Sequence, residues 1–161
     1  MKYPIGIQTF DKIILGDYVY VDKTDLIYRL VKNGNTYFLG RPRRFGKSLL
    51  VSTLESYFLG KKDLFKGLAI EKMETEWIQY PVFHIDLSTG NYLNDGALEE
   101  ILGGYLSAWE KQYNINNHFT DLGKRFQQVL HQAHIQTGQG AVVLIDEYDK
   151  PILDVLDWTI M

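Results

Sequence analysis

The sequence contains no cysteine, so it forms neither disulfides nor thiolate metal sites, and it fits a reducing compartment. It has no apolar run near the roughly 20 residues that cross a bilayer. Its first residues, MKYPIGIQTFDKII, show neither a continuous apolar segment nor a small-residue cleavage site. No secretory signal is read there, and the cytoplasm is the expected location. An excess of one charge is missing too: 17 basic against 20 acidic side chains give a formal charge of −3, which excludes a global field drawing the whole chain to nucleic acid or an anionic membrane. Any basic function must be local. Internal repeats and low-complexity tracts are also absent.

What is present is enough material for one ordinary domain: 161 residues, 45% hydrophobic and 14% aromatic. Tyr18-Val19-Tyr20-Val21 is rich in strand formers, after which Asp22 or Thr24 can cap a helix carrying Leu26, Ile27, Leu30 and Val31, with Gly34 as its stop. TYFLG, residues 36–40, is a short buried-strand candidate. From Lys47 to Phe58, the residues Leu49, Leu50, Leu54, Tyr57 and Phe58 form one apolar stripe of a helix ending near Gly60-Lys61-Lys62. YPVFHIDLS is a second strand candidate, helical patterns follow at about 96–113 and 119–136, and AVVLID, residues 141–146, is a third. Its continuous Val-Val-Leu-Ile run is the kind that a parallel strand covered on both faces shows. The alternation argues an α/β fold with a mostly parallel sheet.

Two motifs carry chemistry. The stretch TYFLGRPRRFGKSLL ends in Gly46-Lys47-Ser48, the tail of a phosphate-binding loop, in which backbone N–H groups at a helix start converge on an anion, a lysine reaches the β- and γ-phosphates and a hydroxyl holds magnesium. Counting back from Lys47 to the first glycine of GxxxxGK[ST] lands on Arg41, with Gly40 one residue early. On that reading Gly46 would let the backbone approach phosphates, Lys47 would supply charge, Ser48 would ligate Mg²⁺, and Arg43 and Arg44 would add phosphate contacts or close over the nucleotide. The bland alternative is a helix start with a solvated lysine. The second motif, VVLIDEYDKP, puts Asp146 and Glu147 at the end of a buried strand, the rim on which ligands of open α/β sheets bind. Asp146 can hold a metal-bound water and Glu147 can polarise the attacking water; alone, the pair also reads as a helix cap with a charged first turn. Two weak motifs at two strand ends reinforce each other, and nucleotide binding is the stronger reading.

Lesser candidates favour structure over chemistry. His84 reads as a strand histidine, Asp86 as a cap of the following turn, and Asp149 as a metal assistant or the start of a helix before Pro151. Tyr18, Tyr20, Asp22 and Lys23 read as packing before they read as a wall for a base. His118, His131 and His134 have no partners at metal spacing.

Taken together, YPIGIQTFDKI, YVYVDKTDLIYRLV, FLGRPRRFGKSLLVSTLESYFLGKKDLFKGLAI, YPVFHIDLS and VVLIDEYDKPILD resemble the AAA-ATPase-like domain found at the N-terminus of many bacterial proteins. The resemblance runs to about residue 154 and includes the arginine-rich loop, so the missing first glycine belongs to that family's own variant. It implies a three-layer P-loop NTPase fold of the ASCE/AAA-like division with sheet order 5-1-4-3-2. It also implies ATP and Mg²⁺ as cofactors, held by Arg43, Arg44, Phe45, Gly46, Lys47, Ser48 and Leu49 on the nucleotide side and by Ser48 and Asp146 on the metal side, with Glu147 catalytic. In such proteins a PD-(D/E)XK nuclease-like effector domain usually follows. In the family the Asp-Glu strand leads into a helix, a further strand with a polar end and more helices, whereas here LDVLDWTIM is the last segment, so the chain is read as the N-terminal part of such a domain, its sheet incomplete at the C-terminal end. ATP turnover is expected of the longer protein. Two alternatives remain: a module capturing nucleic-acid phosphates through Arg41, Arg43, Arg44 and Lys47, and a pseudo-ATPase with a purely structural nucleotide.

Overall fold

The structure is a computed structural model that describes residues 2–40, 42, 44–116 and 119–159, with side chains through 156. Its element order is α1 (Phe10–Leu15), α2 (Thr24–Asn33), α3 (Lys47–Phe58), two 3₁₀ turns (Lys62–Phe65 and Ala69–Lys72), β1 (Val82–Asp86), α4 (Ala97–Gln112), α5 (Leu122–Thr137), β2 (Val142–Asp146) and α6 (Lys150–Thr159). The chain divides into two compact units, Met1–Gln79 and Tyr80–Met161.

In the first unit α1 packs on α3 and α2 packs on the second 3₁₀ turn. The core is aromatic: Phe10, Ile27, Tyr57, Phe65 and Ile70 are buried, with Trp77 and the leucines of α3 packed around them. Phe10 and Phe65 lie 4.8 Å apart between ring centroids, within the range where aromatic pairs add to simple burial. Polar ties close the unit. The Phe10 N–H donates to Ser52 Oγ at 2.6 Å, the Ile70 N–H to Thr24 Oγ1 at 3.0 Å and the Ala69 N–H to Asp22 Oδ2 at 2.7 Å. Glu74, 5% exposed, accepts the Tyr57 hydroxyl and lies 3.3 Å from Lys32 Nζ. Burial pushes the Glu74 carboxyl up, but the Tyr57 hydroxyl, the Glu76 amide and Lys32 outweigh it and hold the group below its ordinary value.

The expected strands at 18–21 and 36–39 do not form. Among the described residues Val19 donates its N–H to the Lys2 carbonyl at 2.8 Å, with no ladder beyond it. Tyr37 instead donates its hydroxyl to the Leu30 carbonyl at 2.6 Å, and Phe38 is exposed. Strand propensity is local, whereas a strand exists only when a partner supplies the ladder.

The second unit is built on two parallel strands, paired in register from Val82↔Val142 to Asp86↔Asp146 and joined through α4 and α5. This small mixed arrangement is compatible with the α/β class. Phe83 is fully buried against Leu106, Tyr113, Val129 and Ala133. The Arg125 guanidinium grips both carboxylate oxygens of Glu110 at 2.8 Å, joining α5 to α4. β2 departs from expectation. Val143 and Ile145 are 39% and 49% exposed, so the run that reads as covered on both faces is half open. The reason is lateral: the helices cover Phe83 and Ile85 on β1, and that cover does not extend over the β2 side chains paired with them.

Candidate functional site

The loop of the first unit is shaped by two left-handed residues, Arg44 at φ 67° and Gly46 at φ 75°. Gly46 is the N-cap of α3, and the Leu50 N–H donates to its carbonyl at 3.0 Å as the first helical bond. No side chain caps this helix, and its first turn carries no acid. The N–H groups of Lys47, Ser48 and Leu49 lie at the positive end of the helix dipole. A Cβ built on Gly46 meets nothing within 4 Å, so glycine is present for its dihedral and for open space, not for packing. Phe45 is exposed, whereas Leu49 packs into the core, which leaves Leu49 only its backbone N–H to offer an anion. Arg41 and Arg43 lie outside the described residues.

The acidic motif sits in the second unit. Asp146 is 7% exposed, and its Oδ1 accepts the Glu147 N–H at 3.0 Å. Glu147 is left-handed at φ 53°, which turns the chain sharply off the strand. Its carbonyl accepts the Lys150 N–H at 3.0 Å, and the Asp149 carbonyl accepts those of Ile152 and Leu153. Asp149 thus opens α6, with Pro151 in the first turn where its missing donor costs nothing. Alongside, Asp86 Oδ1 accepts the Ser88 N–H at 2.8 Å, the turn-capping role expected of it, and Tyr105 places its hydroxyl 3.1 Å from both the N and the O of Asp86.

Asp22 takes up the Thr24 and Ala69 amides. Burial pushes its carboxyl up, yet these donors and the Thr24 hydroxyl hold it below its ordinary value. Tyr20 packs on Phe10 and Lys2 lies over the Tyr18 ring. These residues serve structure, as the packing alternative has it. His134 Nδ1 is 2.9 Å from the Gln139 carbonyl, and His118 lies outside the described residues. Among the described residues no three His, Cys or acidic side chains converge as a metal site, and no helix is long and apolar enough to cross a membrane.

The sequence reading passed over Lys150. Its Nζ donates to the Gly90 carbonyl at 3.1 Å, pairs with Asp154 and lies 5.4 Å from the Tyr92 ring centroid. The Asp154 pairing is visible as an i,i+4 spacing; the contacts with Gly90 and Tyr92 leave no local signal.

A family model described as predicted AAA-ATPase matches residues 4–160. An uncharacterized protein in the vnfD 5′ region of Azotobacter chroococcum mcd 1 is 44% identical over 156 residues, covering 96% of this chain and 30% of that protein. The chain therefore spans about a third of the length of that relative. No solved structure matches.

Proposed function

Since the chain belongs to the predicted AAA-ATPase family, we propose that it is a P-loop domain binding Mg-ATP, with the triphosphate taken up at the N-terminus of α3. One observation carries the reading: a helix opened by a left-handed glycine, without a capping side chain and without an acid in its first turn, begins with Lys47 and Ser48. Backbone donors at the positive end of a helix suit phosphate oxygens, and Lys47 adds a full charge. Gly46 and the amides of Lys47, Ser48 and Leu49 cradle the anion, Arg44 and Phe45 border it, and Arg43 is assigned to it from the sequence alone. Ser48 at the head of α3 offers a hydroxyl and Asp146 at the end of β2 a carboxylate, each by itself a hard oxygen of the kind magnesium takes. When bound, the metal neutralises phosphate charge. Glu147 is assigned to orient and deprotonate the attacking water.

Because the chain spans only part of its relative, turnover, coupling to a nuclease-like effector domain and a cytoplasmic setting are proposed for the protein as a whole. The test is Mg-ATP binding by calorimetry to the 161-residue chain and to Lys47→Ala. The variant is expected to lose at least about tenfold in affinity, equivalent to about 1.4 kcal/mol; equal affinities would sink the proposal. Capture of nucleic-acid phosphates would instead weaken steeply with salt and be indifferent to competing nucleotide.

A further inference from the structure

We infer that Lys150 is a positioning residue for the Asp146–Glu147 elbow, acting through a closed ring of contacts in the second unit; this rests on the roles proposed above for that acidic pair. The ring can be followed bond by bond. The Leu87 N–H donates to the Asp146 carbonyl at 3.2 Å. The Leu87 carbonyl accepts the hydroxyl of Tyr92 at 2.9 Å, a side chain only 7% exposed. The Tyr92 ring lies under Lys150 Nζ, and the Lys150 N–H returns to the Glu147 carbonyl. Both ends of the circuit are thus the two acidic residues themselves.

The bland alternative is that Lys150 makes an ordinary i,i+4 pair with Asp154, worth little at a surface. That does not account for the other two contacts. The ammonium also reaches Gly90, sixty positions away in the chain, and covers an aromatic face. A flexible four-carbon stem with three donors can serve a carbonyl and a carboxylate at once while lying over a ring. Glu147 needs such support because it holds a left-handed dihedral without being glycine, a conformation that persists only where its surroundings fix it. Partners lying behind metal-binding and catalytic groups typically set metal affinity tenfold or more.

The experiment uses the 161-residue chain, with Lys150→Met, Lys150→Arg and Tyr92→Phe. Two quantities are read: hydrogen exchange of the backbone segment 146–150, and the ratio of ATP affinity with Mg²⁺ to that in EDTA. For Lys150→Met the expectation is exchange in that segment faster by roughly tenfold with the first unit unchanged. The Mg²⁺-dependent ratio should fall by about tenfold at an unaltered EDTA affinity. Lys150→Arg keeps a donor and a cation over the ring and should restore much of both, while Tyr92→Phe opens the same ring at another bond and replaces Lys150→Met should that variant not fold. Unchanged exchange in a folded Lys150→Met or Tyr92→Phe overturns the ring. Faster exchange with an unchanged ratio reduces Lys150 to a latch and overturns the positioning role. A wild-type chain that binds ATP equally with and without Mg²⁺ overturns the metal role of Asp146, and this inference with it, a failure identified in the wild type before any variant is compared.

Discussion

Replacing Gly46 by alanine separates two reasons for a glycine. The residue sits at φ 75°, and a Cβ there meets no heavy atom within 4 Å, so the substitution carries the backbone cost of a left-handed L-residue, roughly 1–2 kcal/mol, and no clash within the protein. Spread over a unit of this size, each kcal/mol lowers Tm by about 4–8 °C. Gly138 is a matched control: it ends α5 at φ 68°, and its Cβ likewise meets nothing within 4 Å. Gly138→Ala therefore carries the same backbone cost, far from the phosphate loop in sequence. If the open space at Gly46 is where the triphosphate approaches, the two variants should lose similar stability in chemical denaturation. Only Gly46→Ala should lose Mg-ATP affinity, by tenfold or more, equivalent to about 1.4 kcal/mol. Calorimetric titration of both variants decides the matter. Equal nucleotide affinity would refute the claim that phosphates use this space, and a much larger stability loss at Gly46 would show that its Cβ is not sterically free.

Two further outcomes are expected. Tyr57→Phe removes a donor from the buried Glu74 carboxylate and should cost about 1.5–3 kcal/mol at neutral pH, the range for bonds to charged groups. Because the folded-state Glu74 carboxyl is held low, the wild type should keep this stabilisation above the unfolded carboxyl value of about 4.3 and lose it as pH falls through the lower folded value. Urea titrations at pH 7 and pH 3 should show that loss, and a Glu74→Gln chain with the same pH dependence would contradict it. In the protein as a whole, Glu147→Gln should lower ATP turnover by about 100-fold or more, the usual yield of a general base, while Mg-ATP affinity stays near the wild type; a loss of affinity matching Lys47→Ala would move Glu147 from water chemistry to binding.

What the sequence disclosed about the fold divides along the distance over which each feature is decided. α3 spans Lys47–Phe58 as its pattern predicts, because the glycine at its head and the apolar residues along it are local facts. Its packing face was less legible. The buried side chains include Ser52, Thr53 and Ser56, because small hydroxyl residues let α1 approach and Ser52 takes up the Phe10 amide, whereas Leu50 and Leu54 lie at the margin of the core. The strands at 82–86 and 142–146 were legible as runs of a mostly parallel sheet, and their pairing with each other came from the structure. The run at 36–39 is equally apolar, yet remains outside any strand among the described residues, since a ladder depends on a partner that no local pattern names. Lys150 failed to register as a tie for the same reason.

The two motifs differ from the rest of the chain in a way that spacing alone could not disclose. Five described residues other than glycine have positive φ: Asp17, Arg44, Trp77, Asn114 and Glu147. Asp17 and Asn114 directly follow the C-caps of α1 and α4, where a left-handed residue is an ordinary way to end a helix. Trp77 packs against Phe65 and Tyr57, a core contact that its dihedral serves. Arg44 and Glu147 have neither excuse. Each carries a dihedral that glycine would adopt freely, at a cost of order 1 kcal/mol, and each lies within a motif assigned to nucleotide chemistry on separate grounds. Strain of this kind is retained where the side chain at that position is needed. On the function proposed above, Arg44, which looks like a defect when glycine is sought in the sequence, is explained by what a guanidinium can do beside a helix start that takes up phosphate.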